Sequence, residues 1–241
     1  SKVQNQPEDR KKTIPSKVGN IHLGVFFDGT SNNKLNIREY RNNKYPWYSP
    51  SRWRVGISDS YKSDFSNVAI LSDYYIKDWK NGRFYGKVYI EGIATAPREK
   101  ETDSGGLDNI LSAANGTGEY GINGKVERGC KLVTSKICEI LKSINKTGAT
   151  IDSLYLDVFG FSRGAAAARR FISCIDNPHG DCVEGFDRIR LSFNVCLRKH
   201  FRGKGLYVKN IIPCFLGLFD TVSSYGYNFK DDVQDLALQV P

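Results

Sequence analysis

Methionine is absent from all 241 residues, the start residue included. A chain of this length ordinarily carries several, so their absence predicts that the sequence is part of a longer protein. Histidine is nearly absent too: His22, His179 and His200 are the only three, which leaves few candidates for a general base or an imidazole ligand. No apolar run approaches the ~18 residues of a membrane-crossing helix. The first twenty residues hold no apolar stretch of the kind a secretory signal requires. None of the cysteines (Cys130, Cys138, Cys174, Cys182, Cys196 and Cys214) forms a C-x-x-C pair, which argues against a zinc motif or a thioredoxin-like redox site. Several of them sit where buried thiols are expected, and folding in a reducing cytoplasm follows. RNA-binding signatures, C2H2 finger spacing and internal repeats are also missing.

What remains is an ordinary globular composition, 40% hydrophobic and 25% charged. That excludes a disordered chain and suffices for one large domain with a sizeable core. The formal charge is +9. Lys2, Arg10, Lys11, Lys12 and Lys17 fall in the first twenty positions, so residues 1–20 read as a basic flexible tail ahead of a folded domain over 21–241. Such charge attracts polyanions, whether nucleic acid or anionic lipid.

Apolar runs predict strands over 21–27, 86–93, 151–159 and 211–219. Helical spacing predicts helices over 67–75, capped by Ser66, and over 130–144, with an alanine-rich third over 165–175. Residues 34–64, rich in Tyr, Trp, Pro and Ser, read as a long loop. Residues 94–124 read as a second, glycine-rich one. Strands alternating with helices predict an α/β fold with a mainly parallel sheet and helices on both faces.

The sharpest local feature is Gly160-Phe161-Ser162-Arg163-Gly164. It follows a strand and precedes a helix, the setting of a nucleophile elbow. Gly160 and Gly164 suit a turn too tight for Cβ atoms. Ser162 then projects from the sheet edge at a helix N-terminus, and the Arg163 N–H is placed to stabilise an oxyanion. A serine nucleophile needs a base, and the base an orienting carboxylate. Asp220, at the end of the apolar run 211–219, is the candidate carboxylate. His22 lies upstream of the serine, His179 reads as a turn residue, and His200 sits among cations, so none is a convincing base. Asp28-Gly29-Thr30 ends the first strand. The D-x-D-G-T motif of haloacid-dehalogenase phosphatases is excluded, because Phe26 occupies the nucleophile position. Asp28, Gly29 and Thr30 are instead expected to wall the serine site, with the N–H of Gly29 or Thr30 as a second oxyanion donor.

Together Phe27-Asp28-Gly29-Thr30-Ser31-Asn32-Asn33, Gly160-Phe161-Ser162-Arg163-Gly164-Ala165 and Phe219-Asp220-Thr221-Val222 resemble the FDGT, GFSRGA and DTV blocks of a bacterial α/β-hydrolase family. That family includes the first class of type VI secretion lipase effectors, and the resemblance runs from about residue 21 to about residue 225. It implies an α/β-hydrolase-like catalytic domain over 21–241, incomplete at its C-terminus. It also implies a phospholipase that cleaves acyl esters of membrane glycerophospholipids. Ser162 is then the nucleophile and Asp220 the triad acid, and the histidine is expected beyond residue 241, in a G-x-H-S-D-V-G-G-G block. The implied partners are membrane phospholipid, a cognate immunity protein and a type VI spike or carrier protein, with no nucleic acid. The implied route runs from the bacterial cytoplasm, without a signal peptide, into the periplasm of a target cell. No cofactor and no metal is expected. Trp47, Tyr48 and Trp53 are candidates for an acyl-binding wall. A carboxylesterase or thioesterase of the same fold, or a non-catalytic binding fragment, is the alternative.

Overall fold

The computed structural model describes residues 17–42, 59–80, 83–98, 120–175 and 193–222. The strands are β1 (Lys17–Phe27), β2 (Trp79–Lys80), β3 (Arg83–Ile90), β4 (Thr150–Phe161) and β5 (Tyr207–Phe219). The helices are α1 (Lys34–Arg41), α2 (Asp59–Lys62), α3 (Asn67–Tyr74), α4 (Ile122–Ser143), α5 (Arg163–Cys174) and α6 (Leu197–Gly203).

The strands form one sheet in the order β2-β3-β1-β4-β5. β1 pairs in parallel with β3 and β4, and β4 with β5. Only the two-residue β2 runs antiparallel, against β3. The architecture is therefore α/β with a mainly parallel sheet. Side chains alternate across it. From β1, Ile21, Leu23, Val25 and Phe27 join α4 and α5 in the main core, where the Phe27 ring lies 5.5 Å from that of Phe171. His22, Gly24 and Phe26 face the other way, towards Tyr75 at the end of α3. Helices thus cover both faces. The chain leaves β1 sideways to β3, then returns past β1 to β4. This reversal moves the connecting helix to the opposite face, because parallel crossovers keep one hand.

The expected strands are all present, with different ends. β1 begins at Lys17, four residues inside the stretch read as a tail. The helices at 67–75 and 165–175 are present as α3 and α5, and α4 extends the expected 130–144 back to Ile122. The loop expected over 34–64 is corrected: α1 and α2 lie within it. Asn33 starts α1 by accepting hydrogen bonds from the N–H groups of Leu35 and Asn36, satisfying donors that a helix start leaves over. α6 and β2 had no periodic signal. Much of the glycine-rich stretch, together with Trp47, Tyr48, Trp53, His179 and Cys182, lies outside the described residues.

Candidate active site

The carboxyl ends of β1, β3, β4 and β5 finish level with one another. Phe27 pairs with Ile90 and with Gly160, and Phe161 pairs with Phe219. The reversal of strand order falls between β1 and β4. In open α/β sheets, the crevice at such a switch point is where ligands bind. The Gly160–Gly164 turn closes β4 there, and Asp28-Gly29-Thr30 closes β1.

Ser162 has φ +55° and ψ −129° and caps the start of α5. This backbone region is sparsely populated by non-glycine residues and costs about 1–3 kcal/mol. Surrounding contacts hold it. The Ser162 N–H donates to the Phe219 carbonyl at 2.9 Å, and the Val222 N–H donates to the Ser162 carbonyl at 3.3 Å. The glycines are sterically required. A Cβ on Gly160 would fall 2.5 Å from Ala165 Cα, and one on Gly164 would fall 2.2 Å from the Asp28 carbonyl oxygen. The close approach of Gly164 seats the first turn of α5 directly on the end of β1.

Asp220 directly follows Phe219, the residue hydrogen-bonded to Ser162, so the end of β5 is fastened to the turn. Asp220 is exposed and has φ +45°. Arg163 is the first residue of α5, so its N–H is among the amides that a helix leaves unpaired internally. The Arg163 guanidinium is half-buried, its Nη1 has no hydrogen-bond partner among the described residues, and burial lowers its pKa.

The β1 loop departs from expectation in detail. Asp28 is only 2% exposed and turns inward. Its Oδ1 accepts from the Gly29 N–H at 2.8 Å and from Ser66 Oγ, and its Oδ2 accepts from the Tyr89 hydroxyl. Burial pushes its carboxyl pKa up despite these donors. Asp28 therefore borders the turn through its main chain, and its carboxylate fastens β1 to β3 and to the cap of α3. The Gly29 N–H, spent on that carboxylate, is not free to hold an oxyanion. The Thr30 Oγ1 is buried and has no hydrogen-bond partner among the described residues. Gly29 itself packs on the Phe161 ring, where a Cβ would fall 2.4 Å from Cδ1. Ser66 was readable only as a helix cap. Its second bond, and that of Tyr89, depend on pairings across 38 and 61 residues that no local pattern carries.

The described histidines lie elsewhere. His22 pairs with Asp157 at 3.0 Å, and Asp157 is five residues, or ~17 Å of strand, before Ser162. His200 Nε2 lies 2.8 Å from the Asn194 carbonyl, on α6. Among the described residues, the turn at Ser162 thus meets the main chain of Phe27 and Asp28, Gly29 and the end of β5, without an imidazole.

No family model and no curated protein matches the chain. Among solved structures it is similar to one described as the Tle1 effector bound to the VgrG spike from the type 6 secretion system. That likeness has 21% identity over 93% of this chain and 43% of the other, with a TM-score of 0.47. It is also similar to an uncharacterized protein from Pseudomonas aeruginosa, with 21% identity over 86% of this chain and 30% of the other, and a TM-score of 0.33. The chain spans less than half the length of either.

Proposed function

We propose that this chain carries the nucleophile and the triad acid of a serine hydrolase acting on acyl esters of membrane glycerophospholipids. The observation that carries the reading is the backbone of Ser162, at φ +55° and ψ −129° between a strand and a helix. Strain of this kind persists only where the surroundings enforce it, and it clusters at functional sites. At a nucleophile elbow it lifts the serine Oγ clear of the sheet edge.

In the proposed reaction, Ser162 Oγ gives its proton to an imidazole and attacks the ester carbonyl. Asp220 orients that imidazole, which is supplied from outside the described residues. The Arg163 N–H, together with the N–H of Thr30, holds the tetrahedral oxyanion. The alcohol leaves with the proton from the imidazole, and water then releases the fatty acid from the acyl-enzyme. The sequence resemblance extends the reading to a type VI secretion effector, carried by a spike protein, acting in a rival's periplasm and neutralised by an immunity protein.

In the full-length protein, Ser162→Ala is expected to lower fatty-acid release from phospholipid vesicles by at least about a thousandfold, as loss of an activated nucleophile does. Covalent labelling by a fluorophosphonate should be lost with it. Release that survives the substitution rejects the assignment. Turnover of short soluble esters without vesicle hydrolysis would shift it to a carboxylesterase.

A further inference from the structure

On the sheet face opposite the main core, three side chains from three adjacent strands converge. His22 on β1 and Asp157 on β4 pair through Nε2 and Oδ2 at 3.0 Å. Cys214 on β5 joins them, and one ligand atom from each residue lies within 4.8 Å of the other two.

The arrival of Cys214 has a specific cause. Leu156 pairs with Pro213, but the next residue, Asp157, pairs with Phe215. Cys214 is therefore the extra residue of a β-bulge. In a regular strand, consecutive side chains point to opposite faces. Here the Phe215 ring lies 5.3 Å from that of Phe159 while Cys214 reaches Asp157 on the same face. Bulges re-aim side chains in this way.

We propose that His22, Asp157 and Cys214 bind a zinc-class divalent cation, with a fourth position open to water or another small ligand. One imidazole, one carboxylate and one thiolate form a donor set suited to Zn²⁺ and Co²⁺ rather than to the oxygen-seeking Ca²⁺ or Mg²⁺. In tetrahedral zinc with ~2.0 Å bonds, a nitrogen and an oxygen ligand lie about 3.3 Å apart, close to the distance seen here. The thiolate must close in by about 1 Å to complete the set, and Cys214 is free and exposed. An outer contact is already in place: the Tyr75 hydroxyl donates to Asp157 Oδ2 at 2.6 Å, as second-shell groups do to orient a ligating carboxylate. His22 also stacks on Tyr85 with ring centroids 5.4 Å apart. Binding a cation releases the Cys214 thiol proton, because the ligand is the thiolate. The pair opens onto a cavity of about 410 Å³ walled by Phe26, Tyr75, Tyr85 and Phe159. Because His22 and Cys214 lie on β1 and β5, the ion would clamp β5 to the sheet centre, independently of the chemistry at Ser162.

Cobalt(II) added to the purified protein near neutral pH tests the site. The expected result is one equivalent bound, with a sulfur-to-cobalt charge-transfer band and tetrahedral d–d bands, both removed by excess zinc. Cys214→Ser should abolish the charge-transfer band, and Cys138→Ser should leave it. His22→Ala and Asp157→Asn should each weaken binding at least tenfold. No band, or a band that survives Cys214→Ser, overturns the proposal. A second readout does not depend on the variants folding: zinc should slow alkylation of Cys214 in the native protein at least tenfold, and labelling unchanged by zinc overturns it equally.

Discussion

Two carboxylates at strand ends illustrate how differently one residue type behaves. Asp220 is exposed beside the Ser162 turn, whereas Asp28 is buried and fully engaged by Gly29, Ser66 and Tyr89. Lys34 is the nearby cation, its Nζ 4.4 Å from the Tyr89 ring centroid, yet burial dominates and raises the Asp28 pKa. The folded protein thus holds this proton at pH values where the unfolded chain has lost it. The stability linked to protonated Asp28 is complete below the ordinary carboxyl value of 3.8 and is lost as pH rises through the higher folded value. Asp28→Asn removes that proton linkage. The stability of the native protein minus that of Asp28→Asn, measured by urea unfolding, should therefore fall as pH rises from about 3 towards neutrality. A flat or rising difference would show that Asp28 is not held against its charge. The strained turn at Ser162 was legible in the sequence because the strand end, both glycines and the helix start share five consecutive residues. The inward role of Asp28 was not, and neither was the His22, Asp157 and Cys214 cluster, whose members are brought together only by strand pairing and one bulge.

At the scale of elements, the critical seam is the one between α5 and β1. The helix meets the strand end without an intervening side chain, since Gly164 lies against the Asp28 and Phe27 carbonyl oxygens. Gly164→Ala would set a methyl carbon against main-chain atoms that cannot swing aside. A loss of about 1–3 kcal/mol or more is expected from overpacking, read as a lower urea midpoint. Gly203→Ala is the control: it ends α6, and its Cβ would meet nothing within 4 Å. That change should be neutral or stabilise by up to about 1 kcal/mol. Equal effects from the two would remove the steric account of the seam. The long elements were readable because each buries a continuous or periodic apolar set: β1, β4 and α4 all contribute to one core. α1 was not. It buries Lys34 and Asn36 beside Leu35 and Ile37, and the two polar members are satisfied by Ser72, Asp73 and Ser60. Buried polar residues paired over long distances erase the hydrophobic stripe by which a helix is recognised.

For the chain as a whole, the excess of cations bears on how it would meet the bilayer substrate proposed above. The net +9 acts beyond any single contact, since a cationic protein is drawn to the negative potential of an anionic bilayer. That attraction is screened over about 10 Å at 0.1 M salt and about 3 Å at 1 M. Binding of Ser162→Ala protein to vesicles rich in anionic lipid should therefore weaken by at least about tenfold between 0.05 M and 0.5 M salt. Neutral phosphatidylcholine vesicles should bind it weakly at both. Ser162→Ala, which the proposed mechanism expects to remove hydrolysis, leaves adsorption alone to be read by sedimentation with vesicles. Strong, salt-insensitive binding to neutral vesicles would transfer the role from charge to apolar contact. The exposed Tyr74 and Ile76 at the end of α3, at 85% and 59% exposure, would then be the first positions to replace with serine.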